Sequence, residues 1–511
     1  MSVSALSALR QGLAGQGLDG FIVPRADEHL GEYVPAAAER LTWLTGFTGS
    51  AGLAVVMAET AAVFTDGRYV LQLAEQTDPR LWQRLHVTEQ PPPAWLSEYA
   101  PKAARIGYDP LLISQEGLAR YTDAGLTMVP VNENPIDAVW TGRPLPPNLP
   151  AFPHPLEYAG RASEDKRADV AKILREAKHD AAVLTDPASI AWLLNIRGGD
   201  VPFTPFALSF ALVHADGTTD LFIDPAKLPA ETRSWLGNGV SVADRTALLP
   251  ALQRLKEKTV RVDAAGSPVW FSQQLLQAGA VVASASDPCL LPKACKNDGE
   301  QAGARCAHRR DAVALCRYLY WLSVVAPSGG ETEMSAAEAL LDFRRQVEGF
   351  RGESFPAISG AGEHGAIIHY RVTDLSNRPI KPNEVYLIDS GAQYPDGTTD
   401  VTRTIWTGPD AAPNEIRDRV TRVMQGHIAI ATAVFPKGVG GAHLDALARR
   451  TLWQVGLDYD HGTGHGVGSY LSVHEGPVSI SRLARPVAIA PGMILSNEPG
   501  FYLTDHYGIR L

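Results

Sequence analysis

The sequence predicts two related α/β domains followed by an α+β region, and three observations carry that prediction. A helix–turn–strand–Pro unit occurs twice in the first half of the chain, and a proline-dense stretch separates the two copies. From about residue 300, paired helical patterns alternate with hairpin patterns.

The first copy, ALSALRQGLAGQGLDGFIVP, reads as a helix, a Gly-containing turn at 15–20 and the buried strand Phe21-Ile22-Val23. The second, VAKILREAKHDAAVLTDP, repeats that order around 170–187. Each is followed by a Trp-centred segment, LTWLTGFTGS at 41–50 and IAWLLNIRGGD at 190–200. Strand-like runs come next, GLAVVMAETAAVFTDG and FALSFALVHADGTTDLFID. Order and chemistry recur together, which implies two domains of one architecture. Between them, TGRPLPPNLPAFPHP at 141–155 holds six prolines. Proline removes backbone donors and fixes φ, so this stretch reads as a stiff linker and not as a helix or central strand. A second boundary falls in PCLLPKACKNDGE near 288–300, placing domains at 1–150, 156–295 and 296–511. A long helical pattern covers 301–325. Ser335 with Glu338 predicts a capping box for a helix over 336–348. A third helix, about 414 to 434, sets Ile416, Val420, Val423, Ile428 and Ala431 on one face.

Composition narrows the class. The chain has 511 residues, 45% hydrophobic and 20% charged, enough to bury several cores. A net charge of −10 with no basic run argues against a nucleic-acid partner. The N-terminus lacks a charged start and an apolar h-region, and no apolar run reaches about 18 residues, so neither a signal peptide nor a spanning helix is expected. The four cysteines, 289, 295, 306 and 316, fit neither a zinc site nor a disulfide framework. They read as reduced and structural, with Cys306 and Cys316 acting as small hydrophobes in a helix. The expectation is a soluble, cytoplasmic protein without a membrane partner.

The chemistry centres on residues 385–410, VYLIDSGAQYPDGTTDVTRTIWTGPD. Turn chemistry at Pro395-Asp396-Gly397 between β-branched flanks predicts a hairpin that brings Asp389 and Asp400 together, opposite or diagonal. Two close carboxylates repel unless a cation joins them. His461, His465, His474 and Glu498 follow in DYDHGTGHGVGSYLSVHEG and ILSNEPGFY. Carboxylates with an imidazole suit Mn²⁺, Co²⁺ or Zn²⁺. Four interleaved glycines make HGTGHGVG a loop or strand edge and not a zincin helix.

These stretches, together with IIHY at 367–370, FTGSAG at 47–52, FTDGRY at 64–69 and the DAVALC helix at 311–316, resemble aminopeptidase P, the Xaa-Pro aminopeptidases, in its cytosolic three-domain form. The resemblance spans essentially the whole chain. It implies two creatinase-like N-terminal α/β domains and a pita-bread α+β catalytic domain. It also implies a dinuclear site with five protein ligands, filled first by manganese, with zinc or cobalt as alternatives. Asp389, Asp400, His465 and Glu498 match four of the ligands. His369, His461 and His474 match histidines around the substrate, and Arg510 joins them. Glu498, His474 and His369 match the catalytic set. The family's GIR-x-E pattern puts the fifth ligand just past Leu511, where the sequence stops at YGIRL, and we read it as truncated. His364 stands where the family has Asn, a change expected to stay local to the pocket rim.

The implied function is hydrolysis of the N-terminal Xaa-Pro peptide bond by a water that two metals share and activate, with Glu498 as general base. The implied partners are peptides with a penultimate proline and a second copy of the chain. A prolidase-type dipeptidase is the same-class alternative, disfavoured by the repeated N-terminal domains. A non-catalytic pita-bread binding module is the alternative from another class.

Overall fold

The computed structural model describes residues 2–511. The chain forms two compact units. One runs to His154 and resumes over Arg161–Cys289, and the other comprises Pro155–Gly160 and Leu290–Leu511.

The first unit contains two six-stranded sheets. In the first, the order is Gln83–His86, Ala61–Thr65, Leu53–Met57, Gly20–Pro24, Arg105–Tyr108, Thr127–Pro130. In the second it is Val240–Ala243, Thr219–Phe222, Phe210–His214, Ala181–Leu184, Thr259–Val262, Val281–Ser284. Strand directions also correspond. Gly20–Pro24 lies antiparallel to Leu53–Met57 and parallel to Arg105–Tyr108, and Ala181–Leu184 repeats both relations with Phe210–His214 and Thr259–Val262. The repeat read from the sequence is thus a repeat of topology.

Alternation explains how the first sheet is covered on both faces. Phe21 and Val23 pack with Leu6, Leu9 and Leu13 of the helix Ser2–Gly15. Ile22 points the other way, onto Val55, Phe64 and Trp95. In the second copy, Asp186-Pro187 opens a helix: Asp186 accepts from the Ala188 N–H, and Pro187 sits at the first turn of Pro187–Leu194. The proline-dense stretch is tied down by its few remaining donors. Leu149 N–H reaches Asp200, Ala151 N–H reaches the Lys227 carbonyl, and Phe152–Pro153 pairs with Ile196–Arg197.

In the second unit the helix Asp298–Val325 begins at a reciprocal Asn297–Glu300 capping box, three residues before the expected start. The helix expected from Ser335 and Glu338 is capped instead by Thr332, whose hydroxyl accepts from the Ser335 N–H while the Ser335 hydroxyl accepts from the Thr332 N–H. Glu338 turns outward to Arg345 at 3.6 Å. Thr332 has the extended backbone a cap needs, so the helix spans Glu333–Arg345. In Asn414–Ala431, Val423 is buried and Ile416 and Val420 pack beside Leu452, Phe501 and Ile509. Ile428 is half exposed, so the apolar stripe read from the sequence stops short of it. Cys306 and Cys316 are also exposed, contrary to expectation. The inward face of their helix is set by Ala304, Ala307, Asp311, Leu315, Tyr318 and Leu322, and neither cysteine falls on it. None of the four cysteines is in a disulfide. No helix among the described residues is long and apolar enough to cross a membrane.

Candidate metal centre

The expected single hairpin is two ladders. Val385–Ser390 runs antiparallel to Val401–Trp406, with Asp389 opposite Thr402 and Ser390 opposite Val401. Asp400 precedes that second strand by one residue, so it stands diagonal to Asp389. Beyond Gly391 the chain turns into a second ladder, Ala392–Tyr394 against Gly397–Thr398. Gly391 marks the break because a Cβ there would overlap Ser354 Oγ and the Thr399 carbonyl.

His465 lies on the short strand Gly464–Gly466. Its Nδ1 is 2.8 Å from the Gly466 carbonyl, which assigns that nitrogen the proton and directs Nε2 outward. Nε2 faces Asp400 Oδ2 at 3.3 Å and Glu498 Oε1 at 3.0 Å. One ligand atom from each of the three residues lies within 4.8 Å of the others. Glu498 is set by its N–H bond to Thr463 O at 2.7 Å and by the Ser496 hydroxyl, which donates to Oε1 at 2.8 Å. Ser496 Oγ also accepts from the His465 N–H at 2.9 Å. Gly464 is required here, since a Cβ would strike the Ser496 backbone.

Asp389 is buried beside this trio. Its Oδ2 accepts from Arg510 Nη2 at 2.7 Å, while Oδ1 has no partner. Burial pushes its carboxyl up to about 6, with Arg510 opposing and the charge of Asp400 adding. For Glu498 burial acts upward too, but the hydrogen bond and charge of His465 outweigh it and the carboxyl is depressed. Burial works to lower His465, yet hydrogen bonds to Asp400 and Glu498 hold the imidazole well above 6.5. A protonated His465 thus supplies positive charge between the carboxylates of Asp400 and Glu498.

The other sequence-predicted residues divide. His461 Nε2 lies 2.9 Å from Tyr502 Oη, and its Nδ1 lies 2.8 Å from the Gly462 carbonyl. Burial lowers its imidazole to about 4, so Nδ1–H donates to Gly462 and Nε2 accepts from the Tyr502 hydroxyl. Arg510 Nη1 donates to the same Tyr502 oxygen at 2.7 Å. Arg510, read from the sequence as a substrate contact, is 2% exposed and held by Asp389 and Tyr502, because strand Tyr507–Arg510 ends against the ligand hairpin. His474 packs edge-to-face on His465, ring centres 4.3 Å apart. The next residue, Glu475, is buried between Lys293 and Lys296. His369 is half-buried in the segment after the turn Gly362–Ala366, which packs on Tyr507–Arg510. His364 lies at the buried Glu333, 2.9 Å from Oε1, and stacks on Tyr370, so the substituted position is tied to a helix start.

Tyr502 and Ser496 were missed, although both lie in the stretch that drew attention to Glu498. Neither is ionised at neutral pH, and only the fold shows what they touch. A cavity of about 350 Å³ opens beside the trio, lined by Asp400, His427, Val467, Ile494, Glu498 and Leu511. The donor set fits divalent cations: the carboxylates of Asp400 and Glu498 converge on one imidazole, that imidazole is oriented through its far nitrogen, and the buried Asp389 Oδ1 beside them is left unsatisfied.

Comparison with known proteins gives matches along the whole length. The profile of metallopeptidase family M24 matches residues 302–511, and creatinase/prolidase N-terminal domain profiles match 6–139 and 142–300. A protein of Aspergillus flavus named probable Xaa-Pro aminopeptidase P is 40% identical over 99% of this chain and 80% of its own. One of the same name from Sordaria macrospora is 40% identical over 99% of this chain and 86% of its own. A solved X-prolyl aminopeptidase of Caenorhabditis elegans, described as a cytosolic enzyme with a di-nuclear active site, superposes with a TM-score of 0.94. It is 33% identical, over all of this chain and 86% of that one. A prolidase of Pyrococcus horikoshii, 20% identical with a TM-score of 0.53 over 68% of this chain and 93% of its own, shares the fold.

Proposed function

This chain belongs to the Xaa-Pro aminopeptidase P group within metallopeptidase family M24, and from that premise we propose that it removes the N-terminal residue of peptides whose second residue is proline. Full-length likeness at 40% identity, joined to the cluster of Asp400, His465 and Glu498, carries the reading.

Asp389, Asp400, His465 and Glu498 would hold two divalent cations, with manganese proposed for this oxygen-rich donor set. When bound, such ions would supply Lewis acidity, which lowers the pKa of water and polarises a carbonyl. Glu498, ionised at neutral pH, accepts the proton of the attacking water at its carboxylate, and the Ser496 hydroxyl fixes its aim. Arg510 keeps Asp389 in place, and the neutral His461 anchors the Tyr502 hydroxyl that steadies Arg510. His474 and His369 are proposed to meet the substrate, stabilising charge that develops on the carbonyl oxygen. The acidic cluster attracts the substrate's free ammonium group, which restricts cutting to the chain end. A site for Xaa-Pro needs no acceptor at the proline nitrogen, because a tertiary amide has no N–H to offer.

The test is release of the first residue from a short Xaa-Pro-Xaa peptide, with and without added Mn²⁺, beside a peptide with Ala in place of Pro. Metal-stimulated release from the proline peptide alone is expected. Equal cleavage of the alanine peptide would refute the reading. Cleavage of an Xaa-Pro dipeptide in preference to the tripeptide would favour a prolidase, and absence of Mn²⁺ binding by calorimetry would favour a binding module. We further propose domains at 1–150, 156–295 and 296–511, a cytoplasmic location and a homodimer. A monomeric mass by light scattering would refute the last.

A further inference from the structure

Asp311 and Arg344 form a buried ion pair that no catalytic step above uses. Arg344 Nε and Nη2 reach Asp311 Oδ1 and Oδ2 at 2.8 and 2.9 Å, and both side chains are 1% exposed. A buried pair of this kind is a poor source of stability, since desolvation offsets its attraction, so its placement calls for another account. The remaining contacts supply one. Thr399, the residue before Asp400, donates its hydroxyl to Asp311 Oδ2 at 3.1 Å and accepts the Ala392 N–H at 3.0 Å. Arg344 Nη1 donates to the carbonyl of Gly391, two residues past Asp389, at 3.4 Å. Tyr394 donates to Asp311 Oδ1 at 3.0 Å. The break in the hairpin is therefore held on both arms, each time within two residues of an aspartate of the centre.

We propose that Asp311 and Arg344, acting through the Thr399 hydroxyl, are positioning residues that set the spacing of Asp389 and Asp400 for divalent cations. The inference rests on the metal reading above and extends it to side chains that touch neither ion nor substrate. The Thr399 N–H also bonds the Ala392 carbonyl at 2.8 Å, so the clamp fixes the residue that leads into Asp400.

Asp311→Asn leaves Arg344 buried without its charge partner and risks misfolding, so the decisive variant is the near-isosteric Thr399→Val, with Thr399→Ser as rescue. Mn²⁺ affinity is measured by calorimetry and the unfolding midpoint is measured without metal. Expected is an affinity loss of about 10–100-fold in Thr399→Val, the range for residues that orient metal ligands. The metal-free midpoint should change little, and Thr399→Ser should bind as the unmodified chain does. Unchanged affinity in Thr399→Val, with or without a lowered midpoint, overturns the inference and leaves the metal reading standing. An unmodified chain that binds no Mn²⁺ overturns both.

Discussion

Two buried strands of this protein can be laid side by side, Gly20–Pro24 in the first unit and Val385–Ser390 in the second. Both are covered on two faces, but the first carries only apolar side chains inward and the second delivers Asp389 to the interior. Burying Phe21, Ile22 and Val23 is favourable by itself, at roughly 25 cal/mol per Å² of apolar surface. Burying Asp389 costs free energy unless a cation or donors compensate, and Arg510 compensates one oxygen only. The first strand is a device for stability, while the second holds a charge in readiness for a ligand.

That contrast can be broken or sharpened in four ways. The largest effect is expected for Asp400→Ala, which should lower Xaa-Pro cleavage by about 10³-fold or more while the metal-free protein stays folded. Full activity in steady-state kinetics would place the chemistry elsewhere. Ile22→Ala should cost about 2–5 kcal/mol in denaturant unfolding by leaving a cavity against Val55 and Trp95, with metal affinity unchanged. A weakened affinity would show that the two strands are coupled.

A smaller effect is expected from pH. Asp389, raised to about 6, and His465, raised well above 6.5, are both protonated in mild acid, and both must lose their protons to act as ligands. Mn²⁺ affinity by calorimetry should therefore rise from pH 5 through pH 8. The same shifts act on folding. An acid whose folded value exceeds its unfolded 3.8 binds protons more readily when folded, so Asp389 erodes metal-free stability as pH rises from about 3.8 to 6. His465 stabilises fully below 6.5 and loses that contribution only as pH passes its raised folded value. Affinity that is flat with pH would contradict both protonation states. Smallest of all, Cys316→Ser on the exposed face of Asp298–Val325 should change stability by no more than about 0.5 kcal/mol in thermal unfolding.

Much of this is legible in the amino-acid sequence. Phe21-Ile22-Val23 and the Ala181–Leu184 run announce buried strands because consecutive apolar residues have nowhere else to go. Asp389, Asp400, His465 and Glu498 stood out because ionisable residues among glycines and β-branched residues need a partner. The helix cap at Thr332 was misread because the hydroxyl pair Thr332–Ser335 competes with the Ser335–Glu338 pattern, and backbone conformation chooses between them. The exposed cysteines were misread because a helix shows its buried face only after its neighbours are in place.

The duplicated α/β architecture and the identity of the ionisable side chains follow from local patterns of polarity and turn chemistry. Long-range packing sets the break of the hairpin at Gly391, the bond of Arg510 to Asp389, and the reach of Asp311 to Thr399 across 88 positions of chain. Those are contacts between residues far apart in sequence. Their partners are selected by where helices and strands come to rest, and local propensity carries no information about that.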